Sequence, residues 1–146
     1  MKHFSSFTGR RFSAKQVRWL LNIWPAWWFS GIRVQQVSAD FRSAAVIMRL
    51  TWYNRNFVGT QFGGNLYAMT DPFFMLLLLH HLSNDYYVWD QAARIRFVSP
   101  GKEAVQAEFI LTDHDLSQIK QRAAAGEKTI YTFVTEVKST SGEVVA

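Results

Sequence analysis

Apolar and polar side chains alternate along this chain in two distinct periods, and one block shows no alternation at all. Val17, Leu20, Leu21 and Trp24 recur at i, i+3, i+4 and i+7, which predicts a helix with one apolar face. Ser13-Ala14-Lys15-Gln16 reads as its capping box and Pro25 as its end, with Trp27, Trp28 and Phe29 following up to Gly31. From Ile32 to Phe41 the period becomes two. The phase slips near Gln35 and Gln36, from Ile32/Val34 to Val37/Ala39/Phe41, so a bulge is expected there. Val46, Met48, Leu50 and Trp52 predict a second strand. The unalternating block, Phe73 to Leu79, predicts a buried helix, and Ser83-Asn84-Asp85 a loop after it. Tyr87, Trp89, Ala93, Ile95 and Phe97 then share one face of a long strand, with Asp90, Arg94 and Arg96 on the other. Pro100-Gly101 signals a tight turn, and Val105, Ala107, Phe109 and Leu111 the next strand. Asp113 to Ala125 reads as a short helix stopped by Gly126, Ile130 to Lys138 as the last strand, and Glu143 to Ala146 as a stub. One very apolar helix among half-polar, mostly antiparallel strands requires the sheet to curl around it, an α+β arrangement. With no repeat and no linker, residues 1–146 read as one domain, with a helical arm over 1–31 and a core over 32–146.

The stretch from Asn54 to Pro72 carries the candidate chemistry. A polar loop runs into Gly63-Gly64, and a lone carboxylate, Asp71, precedes the apolar block. Two glycines at a helix start leave backbone N–H groups open to an approaching oxygen, as an oxyanion site needs; the alternative is a tight turn. Asp71 beside Phe73, Phe74 and the leucines is costly to bury without a purpose, which suits a general base or nucleophile. The alternative is that Thr70-Asp71-Pro72 caps a helix beginning at Pro72, leaving residues 64–70 as a separate turn or short helix.

Asn56, Gly59-Thr60, an aromatic before Gly63-Gly64, and Asp71 eight residues after the first glycine resemble the active-site segment of hotdog-fold acyl-CoA thioesterases. The likeness extends to Arg94-Ile95-Arg96-Phe97-Val98-Ser99-Pro100-Gly101 and is closest to a branch catalogued as a domain of unknown function. It implies a hotdog fold, a curved antiparallel sheet wrapped around a long central apolar helix. It also implies hydrolysis of an acyl-CoA or related acyl thioester. Asp71 would be base or nucleophile, Asn56 would hold substrate or water, and the Gly63 N–H would polarise the carbonyl. Gly64, Phe62, Thr60, Arg94 and Arg96 are the accompanying substrate-binding candidates, the arginines for a CoA phosphate. Asp90 falls near where such enzymes place a polar residue that helps the acid. Phe62 stands where a histidine often precedes the glycine pair, and Pro72 follows the acid; both favour the rival reading, a non-catalytic acyl- or CoA-binding protein.

Composition narrows the field. Half the residues are apolar (49%) and 18% charged, so the chain can bury a core. A net charge of +5 suits anionic partners, but the cations form no single run, so nucleic acid is not expected. The first 39 residues contain no acid. The absence of cysteine removes thiolate chemistry and disulfides. Adjacent His80 and His81 point apart on a helix, so no metal is expected, and no cofactor beyond CoA as part of the substrate. No secretory signal is visible and Phe73–Leu79 is too short to span a membrane, so a cytoplasmic location is expected. The tryptophan-rich arm is read as a lid over one end of the fold rather than an interfacial anchor, and membrane association is not expected. No Gly-x-Ser-x-Gly elbow or phosphate loop is present. On a continuous helix Gly63 and Asp71 would stand ~12 Å apart, so one thioester reaches both only across a two-fold axis. A homodimer is therefore expected; the resemblance implies the same dimer, or a tetramer of such dimers.

Overall fold

The computed structural model describes residues 12–82, 86–126 and 128–146. The predicted Ser83–Asp85 loop lies outside them.

Helix α1 (Ala14–Ile23) opens with the expected capping box, Ser13 and Gln16 satisfying each other's backbone N–H groups. Pro25 does more than end it. It occupies the first turn of a second helix, α2 (Pro25–Ser30), which Gly31 closes at φ 76°. Strands β1 (Ile32–Val37), β2 (Ser43–Met48), β3 (Val105–Ile110) and β4 (Val137–Ser139) form one antiparallel sheet in that order. The register between β1 and β2 shifts between Val34 and Gln36, where the hydrophobic phase slips. On β3 the alternation holds throughout, with Val105, Ala107 and Phe109 buried. Helix α5 (Asp113–Ala124) starts at a Thr112/Asp115 capping box and buries Leu116 and Ile119.

Several expectations need correction. Strand β1 stops at Val37 because the chain turns at once: Ser38 Oγ accepts from the backbone of Arg42 and Ser43. Strand β2 ends at Met48, so Trp52 stands in a turn, largely exposed. The long central helix is two helices, α3 (Gly63–Ala68) and α4 (Phe73–His81). Pro72 has no N–H to continue the ladder, so the chain breaks before it. Residues 86–97 join no ladder among the described residues; Val88 and Ile95 rest against the core while Tyr87, Trp89 and Phe97 face out. Of the last predicted strand only Val137–Ser139 pairs. The C-terminal stub is a structural member instead: Val145 is buried, its N–H donates to Val137 O, and its carbonyl accepts from Val98 and Ser99.

Helix α4 supplies the centre of the core. Phe73 stacks on Phe109 of β3 at 4.4 Å and meets Trp27 of α2 at 5.5 Å. Phe74 stacks on Phe133 at 4.2 Å. His80 stacks on Phe41 and His81 Nε2 meets the Phe41 carbonyl, so both histidines serve packing. Among the described residues no helix is long and apolar enough to cross a membrane.

Candidate active site

The loop before α3 is closed by one amide. Asn56 Oδ1 accepts from Val58 N and Thr60 N, its Nδ2 donates to Thr60 Oγ1 at 2.8 Å, and its backbone N–H donates to Thr60 O. Asn56 thus organises the loop, as an Asx turn does.

Gln61 anchors that loop to the sheet. Its side chain is 3% exposed, and Nε2 donates to Met48 O and Glu103 O. Its backbone N–H donates to Gly101 O at 2.8 Å. Oε1 is buried and, among the described residues, has no partner. A Cβ on Gly101 would fall 2.8 Å from Gln61 Cγ, so the close approach of the two segments requires glycine there.

Between these segments lies a cavity of about 410 Å³. Asn56, Thr60, Gln61, Gly63 and Leu66 line one side, and residues 97–101 the other. Gly63 is the first residue of α3, and the Phe97 ring lies over it: a Cβ there would meet the ring at 2.9 Å. Among the described residues the N–H of Gly63 donates to nothing, since the ladder begins with Asn65 and Leu66 donating to Phe62 O. The cavity therefore joins an apolar wall to one open backbone donor.

Asn56, Thr60 and Gly63 thus come together, whereas Asp71, Phe62, Gly64, Arg94 and Arg96 do not line this cavity. Phe62 turns back over Gly64, with its ring 2.5 Å from where a Cβ would stand. Arg94 and Arg96 are exposed. Asp71 is exposed and caps nothing: α4 begins at Phe73 with Pro72 as its N-cap residue and no side-chain cap. It belongs to a second cluster with Tyr67 and Asp90. Withdrawal from water and then the Asp71 charge, with a hydrogen bond to Asp71, raise the Tyr67 phenol above its ordinary value. Partial burial and then Asp71 raise Asp90 likewise. Sequence reasoning passed over Gln61, Tyr67 and Ser99. Gln61 lay within the motif already singled out, and Tyr67 stands one helical turn before Asp71, a spacing that brings two side chains to one face.

The sheet order, the apolar α4 on its inner face and the loop–glycine–helix entrance define the fold of hotdog-type thioesterases. A probable thioesterase of unknown function from Pseudomonas aeruginosa superposes with a TM-score of 0.78 at 22% identity, over 90% of this chain and 87% of that one. A Haemophilus influenzae thioesterase gives 0.64 at 12% identity, over 93% and 85%. The Escherichia coli PaaI protein from the phenylacetic acid degradation operon gives 0.57 at 15%, over 90% and 84%. Within that fold the chain belongs to the family described as Domain of unknown function (DUF4442), whose model matches residues 13–146. No curated protein matches the chain.

Proposed function

We propose that this protein hydrolyses an acyl thioester, acyl-CoA or a related carrier-bound acyl group, at sites shared by two copies of the chain. The observation that carries the reading is the cavity lined by Gly63, apolar on one side, with the Gly63 N–H unpaired among the described residues. Such a donor stabilises the oxyanion that forms as a thioester carbonyl is attacked. Asp71 stands outside the cavity of its own chain, which suits a base delivered to the partner's cavity.

In that arrangement Asp71 takes a proton from water and the resulting hydroxide attacks the thioester carbon. The oxyanion rests on the Gly63 N–H. Its collapse expels a thiolate, which recovers the proton from the Asp71 carboxyl, leaving a free acid and a thiol. Direct attack by Asp71, with water then splitting the mixed anhydride, gives the same products. In this reading Arg94 and Arg96, both exposed, meet a CoA phosphate. Residues 86–97 are in keeping with a two-fold partner: among the described residues they join no ladder, and they expose Tyr87 and Trp89, which an isologous pairing would cover.

Beside Phe62 and Pro72, one feature of the structure favours a non-catalytic acyl- or CoA-binding role. The Asn56 side chain is already committed to its loop, leaving little capacity to orient water. A panel of acyl-CoAs with a thiol-detecting reagent separates the two. Thiol release abolished in Asp71→Asn, with the oligomer intact by sedimentation, supports hydrolysis. A thermal shift with CoA but no thiol release selects the binding role. Full activity in Asp71→Asn would sink the proposed chemistry.

A further inference from the structure

The helical arm has two apolar faces, and only one is used by the fold. Val17 and Leu21 pack on the core, Trp27 is buried against Phe73, and Asn22 exchanges hydrogen bonds with Val34 of β1. Away from the core, Trp19 of α1 (62% exposed) and Trp28 (56%) and Phe29 (71%) of α2, the last two with rings 5.7 Å apart, stand in solvent. Trp52, 81% exposed, and Tyr53 lie on the segment that Asn54 ties to the end of α2, its Nδ2 donating to Ser30 O at 2.9 Å. Isolated exposed hydrophobics are ordinary, but aromatic rings gathered on neighbouring segments mark an interaction surface.

Its electrostatics select the partner. Lys15, Arg18, Arg33, Arg49 and Arg55 come from the same part of the chain, where Asp40 is the only acid between residues 12 and 70. Among the described residues none of the five forms an ion pair; the pairs are Arg42–Asp113 and Lys138–Glu136. Lys15 and Arg18 are exposed on α1 itself, so a second copy docked on this helix would set like charges against each other. Tryptophan among unpaired cations on a short amphipathic helix is the composition of a segment that lies in the lipid headgroup region. The arm packs on β1, the edge strand opposite β4, whereas Val98 and Ser99 pair with Val145 beside β4.

We infer that the outer face of α1 and α2, with the Trp52–Tyr53 turn, docks on the surface of an anionic phospholipid bilayer. The inference stands independently of the thioesterase reading. The sequence reading preferred a lid because amphipathic helices usually face their own core; among the described residues nothing covers the outer aromatic side chains.

The test is sedimentation of the full chain with vesicles of phosphatidylcholine, alone or mixed with phosphatidylglycerol. Binding to the mixed vesicles, weakened by salt, is expected. Trp28→Ser/Phe29→Ser should weaken it about tenfold or more, since both rings lose their apolar burial in the interface. Lys15→Glu/Arg18→Glu should remove the preference for the anionic lipid. All four side chains are exposed, and far-UV circular dichroism checks that both variants stay folded. No sedimentation, or equal binding to phosphatidylcholine alone, overturns the inference. So does capture of a single-stranded oligonucleotide without vesicle binding, or an oligomer lost in Trp28→Ser/Phe29→Ser that binds no vesicles.

Discussion

Replacing Asn54 should be among the costliest polar substitutions in this chain. The side chain is buried, at 4% exposure, and every direction it offers is used. Oδ1 accepts from Thr51 N at 2.8 Å, and Nδ2 donates to Arg49 O at 2.7 Å and Ser30 O at 2.9 Å. One amide thus joins the end of α2, the chain leaving β2 and the turn that leads to the candidate site. At ~0.5–1.5 kcal/mol net for each bond, Asn54→Ala should cost about 2–3 kcal/mol, allowing for water reaching some of the freed groups. Asn54→Asp should cost more at pH 7. It keeps the acceptor for Thr51 but turns a carboxylate oxygen toward two carbonyls. Protonation returns one donor, so the carboxyl's folded pKa lies above its unfolded value near ~3.9. The penalty relative to wild type is then smallest below that unfolded value and grows as pH rises through the folded one. Urea unfolding of wild type and both variants, at pH 7 and near pH 4, measures these differences. Gly31→Ala supplies the coupling test. Its φ of 76° is strained for alanine and its Cβ would fall 2.5 Å from Asn54 Nδ2. Its cost should therefore shrink in the Asn54→Ala background, where that atom is gone. A loss below ~0.5 kcal/mol for Asn54→Ala, or an Asn54→Asp penalty that does not narrow on acidification, would refute the assigned hydrogen bonds.

Other expectations follow from the same geometry. Gly101→Ala should destabilise by ~1–3 kcal/mol, because its Cβ would press on the buried Gln61 and on Val145, neither free to retreat; an unchanged urea midpoint would contradict the close approach. The Asp115 carboxylate accepts from the Thr112 hydroxyl and from the Tyr131 hydroxyl at 2.6 Å each, bonds that hold it below its ordinary value of 3.8. Its folded pKa being depressed, its contribution is present above the unfolded value and lost as pH falls through the folded one. Asp115→Asn should accordingly lose less thermal stability than wild type between pH 6 and pH 3, and parallel losses would show that the carboxylate contributes nothing.

What the sequence determined by itself is local in origin. The capping box at Ser13–Gln16, the bulge at Gln35–Gln36, the alternation along β3 and the apolar face of α5 are set by side chains within a few residues of one another. Their physical cause, a period or a cap, is complete in a short window of chain. Asn56, Thr60 and Gly63 come together for the same reason, since they lie on one loop and the helix it enters. Tertiary structure decided what depends on distant backbone. Val145 enters the core because Val137, Val98 and Ser99 meet it there, and four terminal residues carry no period from which that could be read. Residues 86–97 alternate like a strand, yet alternation records which side chains prefer burial and not which backbone supplies the ladder. Gln61 becomes the joint of the cavity only because Met48, Gly101 and Glu103 converge on it. The break between α3 and α4 follows from the missing N–H of Pro72, which was legible in the sequence, although the direction in which the chain turned there was not.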